Sequence, residues 1–296
     1  MSDFDTRSTT ERSIINFSKF NLEGKVRLGR YSYKHVHGEL ETHSHDGMME
    51  ICYCDKGMQV YEVNGKEYQI RGGDVFITFP NEPHGTAKHP EEKGALYWLI
   101  IQIPNENSFL HFGEEESAVF IRELMGIKER HFKGAEGMKK MLDQLFALHD
   151  EQVQQPIHKL QTLNLISTFL LTVVEYSKKN VVRMQSDRIS DIKNYIHSNI
   201  YQNLPIELLA KELCMSDSHF KSWFKKEFGM PPVDYILRCK VEEGKKLLQL
   251  PDGESVTAIA FKLNFSSSQY FATVFKKYTG ISPAEFKQRG LKTQIL

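Results

Sequence analysis

Short runs of alternating apolar and polar residues fill the first third of the chain. Four of these runs follow one another at even spacing: Glu50–Tyr53, Gln59–Val63, Tyr68–Ile70 and Val75–Phe79. The dipeptide Asn64-Gly65 separates two of them, and Asn-Gly between alternating runs is a strong hairpin signal. The pattern predicts an antiparallel β-barrel or sandwich, which we place at residues 20–110.

The hydrophobic period changes in the next segment, residues 111–182. From Glu114 to Lys179 apolar residues recur every three or four positions, which is the period of an amphipathic helix. Gly134, Gly137 and Pro156 interrupt the pattern, so it predicts three helices. The polar stretch that follows, residues 178–187, is the best candidate for a linker between domains.

The remainder of the chain, residues 187–290, is helical in pattern and contains an internal repeat. The sequence Trp223–Gly229 recurs 51 residues later as Val274–Gly280. Upstream the offset is 50 residues, because Leu213 pairs with Leu263, so the second copy has one extra residue in its turn. Each copy predicts two helices joined by a tight turn, at about 204–229 and 255–280.

Local signals mark where the second helix of each copy begins and ends. Ser216 and Ser267 can cap the free N–H groups of a first turn, and Gly229 and Gly280 tolerate the left-handed conformation that ends a helix. Between the copies, residues 233–250 predict one continuous helix. It would hold two helix-turn-helix units at a fixed separation, which matters because the major groove returns to the same side of DNA about every 34 Å.

The second helix of each copy has an apolar face and a polar face. The apolar face predicts burial of Phe220, Trp223 and Phe224, and of Tyr270, Phe271, Val274 and Phe275. Side chains on the polar face would meet base edges and phosphates. These candidate DNA-binding residues are Ser218, His219, Lys221, Ser222 and Lys225, and Ser268, Gln269, Ala272, Thr273 and Lys276; Lys226 and Lys277 would also pass near phosphates. Packed helices with solvated lysines are the alternative, which the duplication disfavours.

Residues 187–289 resemble the DNA-binding domain of the AraC/XylS family of bacterial transcription regulators. The resemblance is carried by Ile259-Ala260 with Leu263, Phe265-Ser266, Tyr270-Phe271, Val274–Gly280 and Ser282–Phe286. It implies a sequence-specific regulator that binds double-stranded DNA as a homodimer and contacts RNA polymerase if it is an activator. Ser222 and Thr273 depart from the family, in which these positions are often a base-contacting Arg. Gly244 replaces the usual Ala of the connecting helix and predicts a softer coupling between the units.

A second group with possible chemistry lies in the N-terminal part: His43, His45, Glu50 and His84. In the strand interpretation His43 and His45 point to one face, Glu50 lies on the following strand and His84 at the end of another. Three imidazoles and a carboxylate suit Zn, Mn, Fe or Ni. No metal is required, because the same groups could hydrogen-bond a small-molecule effector or have a structural role only.

The spacing of this group resembles that of the cupin barrel. Its first motif corresponds to Gly38, His43, His45, Glu50 and Gly57, and its shortened second motif to Gly73, Pro80 and His84. The resemblance implies an effector-binding barrel, often for a sugar or related metabolite. The expected fold class is α+β multidomain, with a cupin-like antiparallel barrel, following helices and an all-α double helix-turn-helix domain.

The charge composition differs between the N-terminal and C-terminal parts of the chain. The formal net charge is zero, which by itself disfavours a nucleic-acid binder, but residues 1–185 hold 22 basic and 26 acidic residues whereas residues 186–296 hold 16 and 12. The four cysteines are too few and too irregular for a disulfide framework, so we expect free thiols. The longest apolar stretch, 163–174, is interrupted by polar residues and too short to span a membrane, which predicts a cytoplasmic protein.

The sequence is compatible with three functions. The first is a transcription regulator in which an effector in the barrel changes how the helix-turn-helix units sit on DNA. The alternative is a cupin-type metalloenzyme, a dioxygenase or isomerase, fused to a DNA-binding domain; because nothing in the sequence supplies a substrate-specific acid or base beyond the ligands themselves, we expect no enzyme. The third is a constitutive DNA-binding protein with a vestigial barrel. Self-association is expected through a helix of the middle segment, residues 157–176.

Overall fold

The computed structural model describes residues 8–17, 20, 22, 25–104, 109–150, 156–179, 187–250 and 254–293. The chain divides into two compact units. The first unit extends to residue 182 but excludes Lys34–Gly38 and Pro90–Lys93. The second unit consists of these two short segments and the chain from residue 183 onward. Most of the expected linker, residues 180–186, lies outside the described residues.

The first unit is built on an antiparallel sheet. Its strands are β1 (Arg12–Asn16), β2 (Val26–Tyr33), β3 (Met48–Val63), β4 (Lys66–Arg71), β5 (Asp74–Thr78), β6 (His84–Gly85), β7 (Gly94–Gln102) and β8 (His131–Lys133). The main path of pairing is β1-β2-β7-β3-β5-β8, while β4 and β6 pair with the later part of β3. Between the described strands the pairing forms an open path, which is compatible with a cupin-like roll and confirms the α+β fold class.

Strand β3 joins two layers of this sheet. The sequence predicts two separate strands here, but residues 48–63 form one strand of 16 residues. Its first part pairs with β5 and β7, and its second part pairs with β4 and β6. The register shifts between Cys54 and Lys56, where an irregularity lets the strand change layers. The hairpin at Asn64-Gly65 is confirmed, because both residues have positive φ.

Three helices cover one face of the sheet, as predicted: α1 (Glu114–Met125), α2 (Met138–Asp150) and α3 (Pro156–Lys179). The expectation that residues 111–182 are wholly helical is wrong, because β8 lies between α1 and α2 and pairs with β5. A three-residue strand is too short for the alternating pattern to reveal. Its position ties the helical segment to the edge of the sheet.

Helix α3 is long and apolar enough to cross a membrane by length and composition alone. This differs from the expectation that its apolar stretch is too short. Ten of its residues, including Ile166, Phe169 and Val173, are nevertheless buried in the first unit against the sheet and the neighbouring helices. A core helix of a packed domain satisfies the same length test, and burial on one face identifies α3 as such a helix.

The opposite face of the sheet is lined by aromatic residues. Tyr31 and Tyr33 stack with ring centroids 4.1 Å apart, and Trp98 lies beside Tyr31. Gly29 is paired with Trp98 across β2 and β7, and a Cβ on Gly29 would lie 2.1 Å from the indole ring. A glycine is therefore required at this position for the indole to pack across the inner face.

The second unit is all-helical. It contains α4 (Asp187–Ser198), α5 (Ile206–Glu212), α6 (Asp217–Phe228), α7 (Pro232–Leu248), α8 (Val256–Lys262), α9 (Ser268–Thr279) and α10 (Pro283–Thr293). Helices α5–α6 and α8–α9 are the two predicted helix-turn-helix units, and α7 is the predicted connecting helix. Cys214 and Asn264 occupy equivalent places in the two turns, and both have positive φ.

Gly244 lies on the buried side of α7. A Cβ there would lie 3.2 Å from Cζ of Phe271 in α9 and 3.3 Å from Cδ1 of Leu263. The glycine thus allows α7 to approach the second helix-turn-helix unit closely. This contact gives it a packing role that its helix propensity alone did not predict.

Candidate nucleic-acid interface and histidine–glutamate cluster

The second helix of each helix-turn-helix unit begins and ends at the residues that the sequence indicates. The Ser216 hydroxyl accepts a hydrogen bond from the backbone N–H of His219, and the Ser267 hydroxyl accepts one from Tyr270. Gly229 and Gly280 end the two helices in the left-handed conformation. These caps fix the first turn of α6 and of α9, which carries part of the polar face.

The candidate DNA-binding residues lie on the side of α6 and α9 that faces away from the core. All five candidates in α6, the second helix of the first helix-turn-helix unit, are exposed: Ser218, His219, Lys221, Ser222 and Lys225. In α9, the second helix of the second helix-turn-helix unit, Gln269, Thr273 and Lys276 are exposed, whereas Ser268 and Ala272 are half-buried. Polar side chains at these positions can donate to and accept from base edges, and the lysines can neutralise phosphates.

Two expectations about α9 need correction. Tyr270 is 46% exposed rather than part of the buried face, since the core side of the helix is formed by Phe271, Val274, Phe275 and Tyr278. Lys277 is not a free cation at the surface. Its Nζ donates to Oδ1 of Asp234 in α7 at 3.2 Å, which leaves Lys276 as the lysine of this pair that is available to a phosphate.

His43, His45, Glu50 and His84 converge in the first unit. Glu50 lies in β3 and His84 in the short strand β6. The expectation that His43 and His45 lie within a strand is wrong: both precede β3, and only His43 forms an isolated bridge, with reciprocal backbone hydrogen bonds to His84 of 2.9 and 2.8 Å. This bridge brings the two motifs together.

The four side chains offer ligand atoms that all lie within 4.8 Å of one another. Oε2 of Glu50 is 3.1 Å from Nε2 of His45 and 2.9 Å from Nε2 of His84. His45, Glu50 and His84 are buried, and His43 is half-buried at the edge of the cluster. The arrangement therefore concentrates three imidazoles around one carboxylate away from bulk water.

Backbone carbonyls orient two of the imidazoles. Nδ1 of His43 donates to the carbonyl oxygen of Glu41, and Nδ1 of His84 donates to that of Glu82, both at 2.9 Å. Each contact turns Nε2 of its ring toward the cluster. Metal-binding histidines use this pattern, in which the second nitrogen is held by a carbonyl or carboxylate. The donor set and its orientation thus fit a divalent transition metal.

The pKa directions follow from these contacts. Burial raises the pKa of Glu50, but the hydrogen bonds from His45 and His84 outweigh it, so the pKa of this carboxyl falls well below its usual range. Burial lowers the pKa of His84, but the hydrogen bond and charge of Glu50 outweigh burial, so the pKa of His84 is raised. Both ring nitrogens of His84 face oxygen acceptors. Burial lowers the pKa of His43, which favours the neutral imidazole that metals bind.

Sequence spacing did not reveal the groups that surround the cluster. Sγ of Cys52 lies 3.6 Å from Oε1 of Glu50 and 3.7 Å from the Tyr61 hydroxyl, and burial raises the pKa of both Cys52 and Tyr61. Cys52 follows Glu50 by two residues in β3, so the strand period would have placed both on one face. Tyr61, which comes from the other layer, could not be found in this way.

Arg130, just before β8, anchors the loop that carries His84. Its guanidinium donates to both carboxylate oxygens of Glu82, at 2.7 and 2.9 Å. Oε2 of Glu82 also accepts from the backbone N–H of Phe79, while the Glu82 carbonyl holds His84. A chain of contacts therefore connects the helical segment to one imidazole of the cluster. The separation of 48 residues between Arg130 and Glu82 explains why no local pattern predicted it.

Comparison with known proteins gives matches in both units. Residues 31–162 match the family described as "AraC-like ligand binding domain", and residues 209–289 match "Helix-turn-helix domain". The Arabinose operon regulatory protein of Escherichia coli is 23% identical over 238 residues, covering 78% of this chain and 77% of that protein. The HTH-type transcriptional activator AarP of Providencia stuartii is 36% identical over 114 residues, 38% of this chain and 83% of that protein.

Among solved structures, a similar one is the C-terminal domain of the two-component response regulator yesN from Fusobacterium nucleatum. It has 32% sequence identity, covers 34% of this chain and 99% of that one, and has a TM-score of 0.33.

Proposed function

Because this chain belongs to the AraC family of transcription regulators, we propose that α6 and α9 enter successive segments of the major groove under the control of a small molecule bound in the first unit. The observation that supports this most directly is the duplicated recognition helix. Both copies start at a serine cap, end at a left-handed glycine and present polar side chains outward. Two such helices joined through α7 match the geometry of a paired groove contact.

Substitutions on the two outward faces test the DNA-binding part. We expect Lys276→Ala to weaken binding to all duplexes and to reduce the slope of log affinity against log salt by about 0.9, since one phosphate contact is lost. Lys221→Ala and Gln269→Ala should instead reduce the difference between specific and random duplexes by about tenfold each, because base contacts carry specificity. Fluorescence anisotropy at several salt concentrations measures both quantities.

Lys246→Ala is the matched control for the salt slope. Lys246 lies on α7, its side chain is 74% exposed and it pairs with Glu243, so its removal takes away the same charge from another face. An unchanged slope in Lys276→Ala, or an equal change in Lys246→Ala, would contradict the assignment of α9 to the groove.

We place the regulatory site at His43, His45, Glu50 and His84 and propose that these residues bind a divalent metal ion. The convergent donors and the two carbonyl-anchored imidazoles support this choice over a purely structural cluster. Such an ion would polarise an oxygen of the effector, for which a sugar or related polar metabolite is suited. Without a metal, the same side chains would recognise the effector directly by hydrogen bonds.

Metal content of the purified full-length chain decides between these two forms of the site. We expect about one equivalent of a transition metal by mass spectrometry, and a loss of affinity of at least about tenfold in Glu50→Gln and His84→Gln. His89→Gln is the control, because His89 is an imidazole of the same unit that pairs with Glu67 outside the cluster. A chain free of metal, with no uptake when Zn, Mn, Fe or Ni is added, would reject the metal and leave direct recognition.

A sensing role is proposed for this cluster in preference to catalysis. The relatives named above are regulators by name, and the cluster has no nearby acid or base beyond its own members, Cys52 and Tyr61 in the described residues. An effector in the first unit would act by preferring one arrangement of the chain over another. The cupin-type dioxygenase or isomerase remains the competing function, and turnover of a metabolite by the metal-loaded protein would establish it.

Partners are proposed on the same basis. Ile157, Leu160 and Leu171 are 49%, 62% and 52% exposed along one side of α3, and we propose that this stripe pairs with the same stripe of a second copy. A homodimer would present four recognition helices to a paired site. A cytoplasmic location follows from DNA binding, and contact with RNA polymerase would follow if the protein activates transcription, as the name of AarP says of that protein.

A further inference from the structure

A cleft of about 540 Å³ lies within the second unit, between α7 and the second helix-turn-helix unit, α8–α9. Its walls come from the loop after α4, from α7, from the turn between α8 and α9, and from the start of α9. The apolar side chains that line it are Leu204, Val233, Ile236, Leu237, Phe261 and Phe265, and the polar ones are Asn203, Lys240, Asn264, Ser266 and Tyr270. This volume lies within the range of about 300–1,000 Å³ that is usual for small-molecule sites, and a mostly apolar wall is typical of them.

One charged side chain, Lys240, lines this apolar cleft. Lys240 is only 6% exposed. Its Nζ donates to the backbone carbonyl of Gln202 at 3.2 Å and lies 5.7 Å from the centre of the Phe265 ring. Within the described part of the chain no carboxylate pairs with it, and burial lowers its pKa without an opposing charge. An ammonium group has three donors, so this arrangement retains capacity for an acceptor that carries negative charge.

The mouth of the cleft has apolar side chains beside the exposed polar residues Asn203, Asn264 and Ser266. Val233, Phe261 and Tyr270 line it and are 52%, 59% and 46% exposed. Large exposed apolar side chains gathered around a concavity are a feature of binding sites, whereas singly scattered ones are not informative. The cleft therefore combines a buried cation at its wall with large apolar side chains at its mouth.

We propose that this cleft binds an organic monocarboxylate with an apolar body, whose carboxylate pairs with Nζ of Lys240 and whose body packs on Leu237, Phe261 and Phe265. One buried ammonium matches one negative charge, because a second charge would remain without a partner in an apolar wall. A neutral apolar molecule would leave the ammonium without a counter-charge.

This site is distinct from the histidine–glutamate cluster and from the outward faces of α6 and α9. Its walls belong to α7, to the second helix-turn-helix unit and to the loop before α5, and Tyr270 is part of the recognition helix α9. An occupant would therefore contact the connecting helix α7 and the start of α9 from inside the DNA-binding unit.

Calorimetric titration of the full-length chain with octanoate tests the proposal. Octanoate carries the charge and an apolar body, 1-octanol carries the body alone and acetate carries the charge alone. We expect saturable binding of octanoate, binding of 1-octanol that is about tenfold weaker or more, and none of acetate, because a charge-assisted pair adds to apolar burial. Absence of saturable octanoate binding up to about 10 mM would overturn the proposal, since weaker affinity lies below that of a specific site.

Variants locate the binding in this cleft. Lys240→Met keeps the apolar stem of the side chain and should weaken octanoate about tenfold while leaving 1-octanol unchanged. Lys246→Met, on the exposed side of the same helix, is the matched control and should bind octanoate as the parent does. Val233→Trp places a larger side chain at an exposed position of the mouth and should abolish binding of both probes.

The second variant also protects the test against a folding defect. Should Lys240→Met unfold at a lower temperature than the parent protein because the tie to Gln202 is lost, Val233→Trp decides the outcome alone. Octanoate binding that persists in Val233→Trp, or in a folded Lys240→Met with parental affinity, would place the ligand elsewhere and overturn the inference.

Discussion

Glu50 shows how a single residue can organise a site that several segments build. One of its carboxylate oxygens receives two imidazoles and the other lies beside Cys52, so the charge is surrounded by donors although it is buried. A buried carboxylate is tolerated only when it is paired in this way. Loss of His45 or His84 therefore leaves a charge without its partners, which makes these residues important for stability as well as for binding.

Gly244 is a residue at which packing and helix propensity oppose each other. Propensity favours Gly244→Ala by about 1 kcal/mol, because glycine weakens a helix interior. We expect the opposite, a loss of about 1 kcal/mol in the free energy of unfolding, since the new Cβ would press on Phe271 and Leu263, which are fully buried and would both have to shift to admit it. Urea unfolding of the second unit measures the change.

Glu242→Ala is the control for this substitution. Glu242 lies two residues earlier on the exposed side of α7 and pairs with Lys245, so the control value is the difference in stability between Glu242→Ala and Glu242→Gly, both of which lack the ion pair and differ in helix propensity alone. A gain of stability in Gly244→Ala equal to that of the control would show that α9 yields to the methyl group and that the close approach is not required.

At the scale of elements, the second unit could be predicted almost completely from the sequence. Its helices begin and end at local signals such as Ser267 and Gly280, and such signals lie within a few residues of the bond they form. The extra residue in the second turn was also predictable, because the repeat offset changes between Leu263 and Phe271. Local sequence determines these features, so local analysis finds them.

The first unit was less predictable because its elements depend on distant partners. Strand β8 has three residues and exists through pairing with β5, and His43 meets His84 through a bridge that spans 41 positions. The four residues of the cluster were found from their chemical type and spacing, whereas Tyr61 and Arg130 were not. Long-range pairing leaves no period in the sequence, which explains both omissions.

The two recognition helices also differ in a way that their repeat conceals. Lys226 of α6 is exposed, whereas its counterpart Lys277 in α9 pairs with Asp234 and lies beside the Tyr278 hydroxyl. Burial, with the hydrogen bond to Asp234, raises the pKa of Tyr278 above its usual range. This α7–α9 contact leaves less free positive charge on α9 than on α6. It also ties α9 more firmly than α6 to the connecting helix α7.

At the scale of the whole molecule, charge is distributed unevenly between the N-terminal and C-terminal parts of the chain. The acidic and basic halves cancel in the total, and the basic half exceeds neutrality by only four charges. Nonspecific attraction to DNA is correspondingly modest. In the proposed function, affinity would then rest on two groove contacts per chain and on pairing of chains, which gives the exposed stripe of α3 its importance.

The stripe makes a prediction about association. Replacing Leu160 and Leu171 together by Glu should convert a dimer to a monomer and weaken binding to a paired DNA site at least about tenfold, because the second chain no longer binds as part of one assembly. Sedimentation velocity measures the mass, and anisotropy measures the DNA affinity. Lys159→Glu is the control, since it adds a negative charge at an exposed position of α3 away from the stripe. A double variant that remains dimeric would assign association to another surface.

Strand β3 has a consequence for the cooperativity of the first unit. Because the same 16 residues supply hydrogen bonds to β4, β5, β6 and β7, neither layer can open while the other remains intact. Amide hydrogens along Met48–Val63 should therefore exchange with solvent only when the whole unit unfolds. Since Glu50 lies on this strand, the proposed effector site would share the global stability of its unit, and a ligand bound there would protect every layer at once.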